Sequence, residues 1–311
     1  MPSPSAQPDR EGRVTRVLLA GVAVADFVFN VDTMPRKAEK YRATNAHICG
    51  GGNAANSAVA VSRLGAKAML AARVGDDLVG RFILDELARH EVDTSLVNCI
   101  AGAASSFSSI YIDRAGERQI TNFRGHGLGD DAGWLDDVPP FDVLLADNRW
   151  EPLTRRAIRI ARDRKIPAIV DAEPPFDPDA VKLASHVAFS TQGIYDFTGI
   201  EHPVAALQAA SSKLDAWVCV TNGAEGTYFI EDGRVENLPA IAVEAKETLG
   251  AGDVWHGAFA VMIAQGREIR SAIRFANAAG TLKCMRSGGP ASAPTRAETE
   301  QFLNMHDQNS V

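Results

Sequence analysis

The chain has 311 residues, 46% hydrophobic and 23% charged, enough to bury a sizeable core as one large α/β domain or two. Its net charge of −7, without a basic tract, argues against nucleic-acid binding, and no uninterrupted apolar run is long enough for a membrane span. Cys49, Cys99, Cys219 and Cys284 lie far apart and the seven histidines form no HExxH pattern, so neither a zinc knuckle nor a redox dithiol is expected. Residues 1–13 are polar and charged and read as a disordered tail, not a signal peptide, so a cytoplasmic location is expected.

Residues 14–24 (VTRVLLAGVAV) are apolar and predict a buried parallel strand. Asp26 follows at its end, where open α/β sheets bind ligands. Residues 27–31 continue extended, and residues 41–49 alternate large and polar side chains, as a strand with one wet face does. A small-residue helix is expected over 57–64, stopped by Gly65. A strand over 68–74, a turn at Gly75-Asp76-Asp77 and an amphipathic helix over 79–90 come next. Residues 105–113 and 118–124 alternate around Arg114-Ala-Gly-Glu117 and predict a hairpin. With the earlier one-sided strands they make a small antiparallel lid, inserted at about 27–49 and 105–124.

Beyond residue 138, strands at 143–146, 168–170, 187–189, Trp217–Thr221 and 227–230 alternate with helices at 152–164 and Pro203–Lys213. Two more helices follow, one from the Gly-rich turn near 250 and one over Ile269–Cys284. The fold class is therefore α/β: a doubly wound, mostly parallel sheet flanked by helices, with the β lid attached. One domain over 14–304 is expected, followed by a frayed tail at 305–311.

Two glycine-rich stretches carry the chemistry. In Glu247-Thr248-Leu-Gly250-Ala251-Gly252-Asp253, a small-residue turn runs into an apolar helix, with one carboxylate at the junction. Unpaired N–H groups at a helix start attract anions, and glycines let an anion approach. A carboxylate there suits the removal of a proton from a hydroxyl while the turn, Gly250, Ala251 and Gly252, holds phosphoryl charge. An ordinary Asp helix cap is the competing reading.

The other stretch, Gly50-Gly51-Gly52-Asn53-Ala-Ala55-Asn56, also satisfies a G-x-G-x-x-A dinucleotide pattern, with Asp76 or Asp77 about twenty residues on. The strand before it is half polar and is not the first strand, so an NAD-dependent oxidoreductase is a distant alternative. Gly51, Gly52 and Asn53 better suit backbone approach to sugar hydroxyls, or Asn53 caps a helix.

Together these stretches resemble the signatures of the PfkB, or ribokinase-like, carbohydrate kinases: Gly51-Gly52-Asn53-Ala-Ala-Asn56, then Arg73-Val-Gly75-Asp76-Asp77-x-x-Gly80, and finally Glu247 to Asp253 with Gly257. The resemblance runs from about residue 17 to about 289. It implies transfer of the ATP γ-phosphate to a sugar hydroxyl, with Asp253 as base and Gly250–Gly252 as anion hole. It implies a nucleotide site at Thr221, Gly223, Gly226, Thr248 and Asn277, and an acceptor site that includes Asp26. Mg2+ and a monovalent cation are implied cofactors. A homodimer through the lid is the implied assembly, and the apolar face of so small a sheet supports it.

Two positions depart from the family pattern. Glu247 replaces an aspartate near the implied monovalent-cation site, and Ser190-Thr-Gln-Gly193 replaces a motif that organises magnesium. The metal ligands are therefore open, and phosphates and water would hold the ion, with Asp171 or Glu173 behind them.

Finer stretches, among them Glu39-Lys40-Tyr41, Asp147-Asn-Arg149-Trp150 and Asp253-Val-Trp-His-Gly, resemble the bacterial sulfofructose kinases, while Asn53 is more like ketohexokinases. That resemblance makes Lys40, Asn122 and Arg149 candidates for a sulfonate, and 6-deoxy-6-sulfofructose a candidate ketose, phosphorylated on its primary 1-hydroxyl. A Lys, an Arg and an amide are natural parts of an anion site in an acidic protein, though exposed Lys40 and Arg149 read equally as solvated charges. Fructokinase, ribokinase and nucleoside kinase are the alternatives within the family, and a non-catalytic sugar sensor lies outside it.

Overall fold

The computed structural model describes residues 13–174 and 177–307. Among them, thirteen strands run in the order β1 (Arg16–Ala20), β2 (Val24–Val31), β3 (Ala43–Gly51), β4 (Lys67–Gly75), β5 (Val97–Ile100), β6 (Phe107–Ile112), β7 (Arg118–Phe123), β8 (Val143–Asp147), β9 (Ala168–Ala172), β10 (His186–Ser190), β11 (Trp217–Thr221), β12 (Thr227–Glu231) and β13 (Arg234–Leu238). Nine α-helices accompany them: α1 (Asn53–Arg63), α2 (Leu78–Arg89), α3 (Glu151–Asp163), α4 (Pro178–Val181), α5 (Thr191–Thr198), α6 (Pro203–Lys213), α7 (Ala251–Ala264), α8 (Ile269–Cys284) and α9 (Arg296–Asp307).

The main sheet has nine strands in the order β13-β12-β11-β10-β9-β8-β1-β4-β5. From β5 to β11 every pairing is parallel, and β12 and β13 close one edge antiparallel. Helices cover both faces, so β1 reads as an unbroken apolar run. Its Val17 and Leu19 enter the core shared with α1, α7 and α8, while Leu18 and Ala20 enter the core shared with α3 and α6. The fold is the expected α/β architecture. A second sheet, of order β3-β2-β6-β7, forms the lid. Its β2 and β6 run parallel and its outer pairs antiparallel.

The expected strand over 14–24 divides in two. The chain leaves the main sheet at Ala20, and Gly21 lies against the Asp147 carboxylate, where a Cβ would come 2.1 Å from Oδ2. That same oxygen accepts the Val22 N–H at 2.8 Å and bends the chain towards β2. Asp26 therefore belongs to a lid strand and not to the end of the first central strand. Elements β5, α4, α5 and α9 had no counterpart among the expected elements. Helix α9 continues through Asp307, so residues 305–307 are helical; 1–12 and 308–311 of the expected tails lie outside the described residues.

The stretch Gly75-Asp76-Asp77-x-x-Gly80 acts as a fastening. Asp77 caps α2 by accepting the Gly80 N–H at 2.7 Å, and it also holds the Ser105 hydroxyl and N–H at 2.7 and 2.9 Å. A Cβ on Gly80 would strike Gly75 O at 2.0 Å. This knot fixes the chain just before β6 enters the lid.

Candidate active site

Helix α7 begins with Gly250 at φ 76°, a left-handed conformation that L side chains rarely adopt. The Ala251 N–H turns back to Thr248 O at 3.2 Å, and the Val254 N–H to Gly250 O at 3.0 Å. Between them the N–H groups of Gly252 and Asp253 have no acceptor among the described residues. A Cβ on Gly252 would meet nothing within 4 Å, so the space over these donors is open. The turn has the donors and the room for an anion at a helix start.

Close helix packing places the carboxylate. A Cβ on Gly257 would come 2.9 Å from Ser57 O, so α7 and α1 touch through backbone. That contact brings Asn56 Nδ2 to Asp253 Oδ2 at 2.7 Å and the Ser57 hydroxyl to Asp253 O at 3.0 Å. Asp253 is half-buried. Desolvation, then the nearby Asp171 charge, pushes its carboxyl up to about 8; Asn56 opposes the shift, while Glu173 and Asp147 add to it.

Those acidic neighbours stand at the ends of β8 and β9, where open parallel sheets bind ligands. Burial pushes the Asp147 carboxyl up to about 6, although it accepts N–H groups from Val22, Arg149 and Ala54. Asp171 takes an amide hydrogen of Asn53 at 2.9 Å.

The glycines before α1 have packing reasons. The helix cap is Gly52, at φ 92°, where a Cβ would meet Val22 O at 2.5 Å, and Asn53 opens the first turn. A Cβ on Gly51 would lie 2.1 Å from Asp26 Oδ2. The helix expected over 57–64 thus starts four residues earlier. Asn53 and Asn56 project from its first turn towards Asp171 and Asp253, so Asn53 is neither the cap nor free of protein partners.

Across the lid, Asp26 stands opposite Cys49 and Ser108, and Ser108 opposite Asn122, so one face carries the row Cys49, Asp26, Ser108, Asn122. Asn122 donates to the Ser108 hydroxyl at 3.2 Å. Burial raises the Asp26 carboxyl and the Ser108 hydrogen bond restrains it. Two of the expected acceptor residues, Asp26 and Asn122, are therefore joined. Arg149, at the end of β8, is held by Glu173 at 2.9 Å and Pro174 O at 2.7 Å. Lys40 is exposed on the loop after β2 and makes no hydrogen bond or ion pair among the described residues.

Elsewhere in the main sheet, Thr221 ends β11, and Gly223 and Gly226 have positive φ of 51° and 87°. A Cβ on Gly226 would strike Leu238 O at 2.1 Å. Asn277 is buried: its carbonyl accepts from Thr227 Oγ1 at 2.7 Å and Trp255 Nε1 at 2.8 Å, and its amide donates to Leu238 O at 2.9 Å. It ties α8 to α7 and to the edge hairpin.

Sequence reasoning passed over two residues. Arg118, at the start of lid strand β7, reaches the Thr248 hydroxyl and so links the lid to the turn before α7. Asp147 organises the bend at Gly21 and the start of α1, and its place at the end of a parallel strand was the available signal.

Residues 14–296 match the model of the pfkB family carbohydrate kinases. A ribokinase of Bacillus subtilis is 28% identical over 295 residues, covering 93% of this chain and 99% of the relative. A fructokinase of Vibrio alginolyticus is 26% identical, covering 93% and 99%. A solved structure from Agrobacterium tumefaciens, named provisionally as a ribokinase, superposes with a TM-score of 0.89 at 35% identity, covering 95% of this chain and 99% of its own. The open anion turn, the carboxylate beside it and these similarities agree: the chain belongs to the pfkB family of carbohydrate kinases.

Proposed function

We propose that the chain transfers the γ-phosphate of ATP to a primary hydroxyl of a ketose, with 6-deoxy-6-sulfofructose as the candidate substrate and a 1-phosphate as product. The observation that carries the reaction is Asp253 beside two unpaired N–H groups at the start of α7. Phosphoryl transfer needs positioning and charge stabilisation more than covalent help. Asp253 takes the hydroxyl proton, Asn56 keeps its carboxylate aimed, and the Gly252 and Asp253 N–H groups meet the charge on the transferred group. Arg118 adds a positive charge from the lid side. Magnesium would come with the nucleotide and be held by phosphates and water. Among the described residues no group of three His, Cys, Asp or Glu could hold an ion, and such a water-rich site is usual for this metal.

On the acceptor side, the Asp26–Ser108–Asn122 row offers a carboxylate and an amide to neighbouring hydroxyls. Support for the anionic sugar is the resemblance of Lys40, Asn122 and Arg149 together with Asn122's place in that row. Binding a sulfonate would require Arg149 to exchange Glu173 for it. The Arg149–Glu173 pair in turn favours a second reading, a kinase of plain fructose. Comparing kcat/KM for sulfofructose, fructose and fructose 6-phosphate decides: a clear preference for sulfofructose supports the first reading, and equal or better values for fructose refute it.

The lid also exposes Ile48 and Phe123 on one face and Ile120 on the other. We read them as a surface for a second copy of the chain, and a monomer by light scattering at micromolar concentration would contradict that.

A further inference from the structure

Lys283, in the last turn of α8, is fully buried, with 0% exposure. An ammonium so enclosed costs several kcal/mol unless it is paired. Its Nζ lies 3.0 Å from Glu247 Oε1. The same carboxylate accepts the Gly288 and Gly289 N–H groups at 3.2 and 2.9 Å. Behind it, the N–H groups of Lys246 and Glu247 both reach Cys284 O, at 2.7 and 3.1 Å. Burial alone would raise the Glu247 carboxyl, but Lys283 and the two glycine donors hold it below its ordinary range.

Glu247 immediately precedes Thr248 and the anion turn. A helix C-terminus and a carboxylate together make a negative hollow at the foot of that turn, and some cation must fill it. The family resemblance implies a free monovalent cation near here. The residues do not fit one: the Glu247 oxygen that would bind it already holds Nζ, and the longer side chain of Glu gives the reach. A methionine or leucine would fill the same space at less cost, so the charge itself is what the position uses.

We propose that Lys283 is a built-in cation for the anion turn, a positioning residue that holds Glu247, Cys284 and Gly288–Gly289 together, so that turnover needs no alkali cation. This rests on the kinase reading above, and the test separates the two. ADP release is measured directly by chromatography in equal ionic strengths of KCl, NaCl and tetramethylammonium chloride, and melting temperatures are taken in the same salts. The wild type should vary less than about twofold in kcat, with no K+-specific rise in melting temperature. Lys283→Met should lose about 10- to 100-fold in kcat in tetramethylammonium, the equivalent of one charge-assisted hydrogen bond, with a smaller change in KM. K+ should restore part of that loss and raise the variant's melting temperature. Strong K+ stimulation of the wild type would overturn the proposal. So would a Lys283→Met enzyme with unchanged kcat and no response to K+, which would leave only a structural role. If Lys283→Met does not fold, the double variant Glu247→Gln, Lys283→Met removes both charges: lowered kcat without K+ response is expected, and unchanged kcat overturns the idea. No sugar-dependent ADP release from the wild type would refute the kinase reading alone, and the melting arm would still test Lys283.

Discussion

The turn before α7 and the lid sheet, joined by Arg118 and Thr248, are built on opposite principles. The turn is fixed by packing: Gly250 is left-handed, Gly257 lets α7 touch α1, and Lys283 is buried beneath Glu247. A methyl group at Gly250 would sit in a left-handed conformation and one at Gly257 would meet the Ser57 carbonyl, so both positions resist an added side chain. The lid has its outer strands β3 and β7 largely exposed, and Asp26, Ser108 and Asn122 sit in one cross-strand row. A rigid region can hold a base and an anion hole in register while the lid changes with the sugar. Chemistry should therefore fail when the turn is altered, and substrate preference should shift when the lid is altered.

The largest expected effect is from Asp253→Asn. It should lower kcat by about 10²–10⁴-fold while leaving nucleotide affinity nearly unchanged, as equilibrium binding would show. Asp26→Asn should lower kcat/KM by about 10–100-fold, mostly through KM, because a hydroxyl loses a charged acceptor. A large kcat effect with unaltered KM would break the division between the two regions. Gly250→Ala forces a side chain into a left-handed position, at a cost of about 1–2 kcal/mol, and should lower kcat about tenfold. Arg149→Met should reduce the preference for an anionic over a neutral ketose by about tenfold, with little change for fructose itself.

A smaller effect bears on stability. The Asp253 carboxyl has a folded-state value raised above its unfolded one, so its ionisation opposes folding increasingly as pH rises from about 4 towards 8. The Asp253→Asn protein should melt a few degrees above the wild type at pH 8, and the gap should shrink towards pH 4.

The two regions also differed in how far they could be read from sequence. The turn is contiguous, its glycines and carboxylate fall within the single run Glu247 to Asp253, and an apolar helix follows it, so Asp253 and its neighbours were legible at once. The strand alternation gave the α/β sheet. The β6–β7 hairpin is local and was expected, but β2 joins β6 across a long separation, and no local pattern shows that Asp26 meets Ser108. Residues 14–24 look like one strand because both halves are apolar. The break at Gly21 depends on Asp147, more than a hundred residues away. Lys283 reads as an ordinary basic residue at a helix end until its burial is seen. Asn277, expected at the nucleotide site, proves to be a tie between two helices and a hairpin.

The central claim is that Asp253 acts as the base although its surroundings resist its ionisation. The pH dependence of kcat/KM for the sugar tests it most directly. Activity should rise with pH along an acid limb centred near 8, because only the ionised carboxylate accepts the proton, and the residual activity of Asp253→Asn should lack that limb. A wild-type profile flat from about pH 6 to 9, or the same limb in the Asn variant, would contradict the account.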